Sequence, residues 1–113
     1  MTQYLVAIHR PLGYAPAVSE DDAMGREIDA LNAEMRAAGV RVFVGGLAPI
    51  ESAKSVRLTA GGAPSVTDGP YLESKEFVGG FWVLETASLA EALAWGRKAA
   101  VACRAQVEVR AFL

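Results

Sequence analysis

The sequence holds little of what metal, redox or disulfide chemistry needs. Across 113 residues there is one cysteine, Cys103, and one histidine, His9. A single cysteine excludes an intramolecular disulfide and any zinc site built from several thiolates. A single imidazole has no carboxylates placed close to it along the chain, so neither a metal nor a cofactor is expected. No apolar run reaches the ~18 residues a bilayer crossing requires. The opening MTQYLVAIHRP has neither a basic leader nor a long apolar stretch ending in small residues. A soluble, cytoplasmic chain with no membrane partner is expected. The 11 basic residues are scattered among 13 acidic ones, for a net charge of −2, so no basic stripe offers counterion release on nucleic acid. The signatures G-x-x-x-x-G-K-S/T, H-E-x-x-H, G-x-S-x-G and paired C-x-x-C are all missing, and with them the marks of nucleotide hydrolysis and of zinc or serine hydrolases.

What is present is apolar: 52% of the residues are hydrophobic and mean hydropathy is +0.23. The length predicts a single domain over residues 1–113. Gln3 to His9 reads as a strand, and Arg10 to Val18, with two prolines and a glycine, as a loop. Ser19 with Asp22 looks like a helix start. Met24, Ile28, Leu31, Met35 and Ala38 then recur on one stripe, and Gly39 is placed to end the helix. Val40 to Leu47 is a second strand, and Ser55 to Thr59 and Pro64 to Thr67 form a small hairpin turning at Gly61 and Gly62. A strand at Gly80 to Thr86 follows. Ser88 and Glu91 open a second helix, with a stripe of Leu89, Leu93, Gly96, Ala100 and Cys103, and Gln106 to Leu113 is a last strand. The order is that of an α+β, ferredoxin-like (split βαβ) domain: an antiparallel sheet with two helices on one face, plus a small β-hairpin.

A sheet covered on one face should alternate apolar and polar residues. These strands do not. Tyr4, Val6 and Ile8 stand opposite Leu5 and Ala7, and Phe81 and Val83 stand opposite Trp82 and Leu84. Two helices cover one face only, and the other is larger than the few hundred Å² of apolar patch that monomers expose. A homodimer stacked sheet on sheet is expected, with clefts enclosed between its sheets.

The richest stretch is VTDGPYLESKEFVGGFWVLE, Val66 to Glu85. Asp-Gly-Pro is turn chemistry, yet a turn needs none of Glu73, Lys75 and Glu76, and the Gly79–Gly80 pair invites close approach by a ligand or a neighbouring strand. His9, at the end of the first strand, is a rim histidine or a general acid or base. Lys75 can neutralise an anion. Arg110 lies between apolar neighbours in a strand and needs Glu108, Glu85 or a bound anion as partner. Trp82 reads as core, with stacking on a ring-shaped ligand as the lesser alternative. Cys103 reads as a core filler.

The run TDGPYLESKEFVGGFWVLE, together with GGLAPIESAKSVRL before it and VEVR at Val107 to Arg110, resembles the DGPF subfamily of the YCII-related proteins, with Tyr71 where phenylalanine is usual. The resemblance spans nearly the whole chain. It implies a dimeric α+β barrel of ferredoxin-like subunits. It also implies a catalytic His and Asp pair, which falls on Asp68 and, for lack of the helix histidine of many relatives, on His9. The residues around Ile28 are apolar and acidic instead. Association of such relatives with extracytoplasmic-function sigma factors implies an alternative, non-catalytic accessory role in transcription. Together these readings expect a small molecule, anionic or neutral, in a cleft lined by His9, Asp68, Lys75, Trp82 and Arg110.

Overall fold

The first strand runs further than its apolar residues suggest. A computed structural model describes all 113 residues, and in it β1 spans Thr2–Pro11 and takes in the start of the expected loop. The extension is held by a long partner strand, β5 (Glu76–Thr86), which opposes Arg10 with Phe77 and Pro11 with Glu76. With β2 (Arg41–Gly46) and β6 (Gln106–Ala111), these form a four-stranded sheet in the order β2-β5-β1-β6, every neighbouring pair antiparallel. The two strands joined through the first long helix, β1 and β2, have β5 between them, which is the split βαβ arrangement. β3 (Lys54–Leu58) and β4 (Pro64–Asp68) make the expected hairpin as a separate two-stranded sheet. Gly62 takes a left-handed φ of 85° at its turn, a conformation that costs glycine little.

Three helices are present rather than two. A four-residue helix, α1 (Pro16–Ser19), occupies the segment read as irregular, with proline in its first turn, where a missing N–H costs nothing. The start of the first long helix, α2 (Asp22–Ala38), is therefore not Ser19. Asp21 caps it, its carboxylate accepting from the Met24 N–H at 2.8 Å. Gly39 ends it at φ 70° as expected. In α3 (Leu89–Cys103), Ser88 is the cap and the Glu91 side chain reaches back to the Ala87 N–H at 3.1 Å.

The buried stripe of α3 agrees with expectation at Gly96 and Cys103 and differs at its two leucines. Ala92, Gly96, Ala99, Ala102 and Cys103 face inward, while Leu89 and Leu93 are exposed. Distance explains the rotation. A Cβ on Gly96 would stand 2.8 Å from Cγ2 of Val109, so the helix lies too near the sheet for leucine and turns its smallest residues down. Leu31, Met35, Val6, Ile8, Trp82 and Leu84 form the centre of the core between sheet and helices. Both long helices thus cover one face. The molecule is 49 × 37 × 18 Å with a radius of gyration of 16.1 Å, against about 13 Å for a rounded domain of this length. It is a thin slab of two layers. Leu5, Phe81 and Val83 on the other face are only half-buried, and Phe43 is exposed beside Phe81, ring centroids 5.8 Å apart.

Candidate functional site

The five residues singled out in the sequence are not gathered in one place within the chain. His9 pairs with Val78 and Gln106 in the main sheet and, by strand alternation, shares the open face with Leu5 and Ala7. Asp68 ends β4 in the other sheet, 88% exposed, its carboxylate 2.5 Å from Nζ of Lys54. Lys75 is exposed in the loop before β5, and its backbone carbonyl accepts from the Leu12 N–H at 2.7 Å. Arg110 is exposed and 3.7 Å from Glu108, one of the partners expected for it. Trp82 is the exception. It lies in the core at 3% exposure and also floors a pocket.

That pocket lies on the helix side of the sheet, at the end where β1 and β5 lead into their loops, and measures about 380 Å³. The Trp82 ring is fixed from α2: its Nε1–H donates to Oδ1 of Asn32 at 2.9 Å, and Asn32 also accepts from Arg41 at 3.1 Å. With the indole N–H satisfied, Trp82 offers an apolar surface. Val44 and Ile28 add to it, and the loop from Leu47 to Glu51 closes the side.

One buried charge is built into this wall. The alternation Tyr4, Val6, Ile8, Arg10 places Arg10 on the helix face, where it is 8% exposed and lines the pocket. The glycine pair of β5 makes the room. β5 carries one more residue than β1 at the irregularity between Ile8 and His9, and that residue is Gly79. A Cβ there would stand 2.8 Å from Cγ of Arg10. Gly80 serves packing of another kind, since a Cβ on it would be 2.9 Å from the carbonyl oxygen of Gly45 on the neighbouring strand. Arg10 donates from Nη1 to the carbonyl of Cys103 at 2.5 Å, and its guanidinium lies 4.4 Å from the ring centroid of Tyr14. None of the four ion pairs of the chain includes it. Its other nitrogens are not sealed, because no fully buried side-chain nitrogen lacks a partner. The residue itself lines the pocket.

Glu20, an acid of the pocket lining, is engaged elsewhere: its Oε2 accepts from the Tyr14 hydroxyl at 2.6 Å. Burial, reinforced by that hydrogen bond, pushes the Tyr14 phenol up to about 12, with Arg10 pulling the other way. Burial likewise raises the Cys103 thiol, so the pocket's one sulfur keeps its proton and is a poor nucleophile.

A family model of the YCII-related domain matches residues 3–112. The chain belongs to the YCII-related family. It is also similar to an uncharacterised protein of Rhizobium meliloti (strain 1021), 37% identical over 78 residues. The aligned part is 69% of this chain and 62% of that protein, so the match spans under two thirds of the relative.

Within this YCII-related chain, sequence reasoning passed over Arg10 and Tyr14 as members of a loop and Glu20 as part of a helix's first turn. A signal was there for Arg10. The every-second-residue pattern that put Tyr4, Val6 and Ile8 together continues one step to a charge. Nothing comparable marks Tyr14 and Glu20, which meet through the turn of α1.

Proposed function

We propose that this YCII-related protein is a homodimer whose subunits each bind a small, largely apolar molecule in the helix-side pocket. The carrying observation is the pocket itself, about 380 Å³, floored by Trp82 with its indole N–H already satisfied and holding a single buried cation. Such a site is at the smaller end of the ~300–1,000 Å³ usual for ligand pockets, and apolar lining with few placed polar groups is their common pattern. The dimer rests on the open face, where Leu5, Phe81, Val83 and Phe43 lie against no other part of the chain's core. A second sheet stacked about 10 Å away would remove that surface from water. Acid–base chemistry by His9 with Asp68 is the lesser part of this proposal, since the two lie in different sheets of one chain and Asp68 is paired with Lys54.

Gly46 supplies the test. It pairs with Gly80 on the helix face, and a Cβ there meets nothing within 4 Å, so Gly46→Leu fills the pocket without strain in the sheet. Compounds that raise the melting temperature of the wild type are expected to leave Gly46→Leu unmoved, although the variant melts within a few degrees of the wild type. Equal stabilisation of both would contradict the pocket. Capture of a sigma factor by a protein that no small molecule stabilises would instead favour the accessory role in transcription.

A further inference from the structure

We infer that the molecule held in this pocket carries a carboxylate, that Arg10 is its anchor, and that Tyr14 keeps Arg10 available by occupying Glu20. The inference rests on the pocket being the binding site and adds the chemical class of its ligand.

A buried guanidinium needs an anion or a full set of acceptors. Arg10 has one carbonyl and the face of one aromatic ring. The Tyr14 ring lies 4.4 Å from the guanidinium carbon and the carbonyl takes Nη1, so Nε and Nη2, a pair that a carboxylate can engage with two parallel hydrogen bonds, hold no partner in the chain. Two acids, Glu20 and Glu51, also line the pocket. A single negative charge with a planar fork suits one arginine among them, whereas a phosphate dianion would add to the repulsion.

Glu20 is the natural internal competitor. It lies on the same pocket but forms no ion pair with Arg10, because its oxygen takes the Tyr14 hydroxyl at 2.6 Å. Tyr14 therefore has two tasks: its ring orients the guanidinium and its hydroxyl withholds the acid. Removing the hydroxyl alone frees Glu20 to swing to Arg10 and compete with the ligand. Tyr14 is a positioning residue, and the prediction distinguishes it from a wall of the pocket.

The experiment is calorimetric titration with benzoate and hexanoate, each against its neutral amide, and with inorganic phosphate. The wild type is expected to bind the carboxylates on the order of tenfold or more tighter than the amides, the worth of one charge-assisted pair, and phosphate more weakly than either acid. Arg10→Gln abolishes the preference and leaves amide binding unchanged. Tyr14→Phe weakens carboxylate binding about three- to tenfold, and adding Glu20→Gln restores it. Equal binding of acid and amide by the wild type overturns the carboxylate class while the pocket stands. Binding of neither overturns the inference together with the pocket. Phosphate binding tighter than the carboxylates overturns the class, and a preference retained in Arg10→Gln overturns the anchor. Should Arg10→Gln fail to fold, the Tyr14→Phe and Tyr14→Phe/Glu20→Gln pair decides, since failure of the second substitution to restore binding contradicts the mechanism.

Discussion

Arg10 and Gly79 are a matched pair: a long charged side chain crosses the backbone of the next strand where that strand has no side chain. Gly79→Ala places a methyl group 2.8 Å from Cγ of Arg10. Overpacking of this kind costs about 1–3 kcal/mol, and the contacted atom is near the base of the side chain, so the tip moves with it. A lower urea midpoint together with weaker carboxylate binding is expected; loss of stability with binding intact would separate the two residues. Tyr14 gives a pH signature. Its pKa is raised from 10.0 to about 12 in the folded chain, so the unfolded chain releases the proton first. The stability it contributes is full below about pH 10 and is lost as pH climbs towards about 12. Ultraviolet titration should show one late-ionising tyrosine that Tyr14→Phe removes. At this scale the sequence was legible wherever a residue's role is local. Gly39 and the Gly61–Gly62 turn lie where expected, because caps and tight turns depend on a few neighbours. For Arg10 the alternation of β1 showed the face but not the burial, which depends on Gly79 and Cys103, far along the chain.

At the scale of elements, periodicity located both long helices and all six strands to within a few residues, and in α3 it placed Gly96 and Cys103 correctly in the buried stripe but added Leu89 and Leu93 to it. The structure turns Leu89 and Leu93 outward and sets Gly96 against Val109: the close helix-to-sheet spacing that small residues allow leaves no room for leucine on the same stripe. A pair of substitutions checks this. Leu93→Gln should change the urea midpoint little, within about 0.5 kcal/mol, whereas Gly96→Ala should cost about 1–3 kcal/mol despite its better helix propensity. The reverse order would restore the leucine stripe. The segment Arg10 to Val18 misled in a related way: prolines and glycine spoke for irregular chain, but Pro11 ends a strand and Pro16 begins a helix, both places proline tolerates.

At the scale of the whole molecule, the slab shape and the two-sided apolar strands belong together. A two-layer slab 18 Å thick has no third layer to cover Leu5, Phe81 and Val83. The wild type should sediment at twice the chain mass of 11.9 kDa, and Val83→Glu, which charges the centre of the open face, should sediment as a monomer; a monomeric wild type would contradict the stacked sheets. The sequence made this face legible because failed alternation is a local pattern. It could not show that the pocket lies on the opposite, helix-covered face, away from His9, Asp68 and Arg110. Where a ligand goes is thus the measurement that bears most directly on the account. In amide and side-chain nuclear magnetic resonance spectra of labelled protein titrated with benzoate, the Trp82 indole N–H and the Arg10 Nε–H are predicted to shift together in saturable fashion. Shifts confined to His9, Asp68, Lys75 and Arg110 would contradict it.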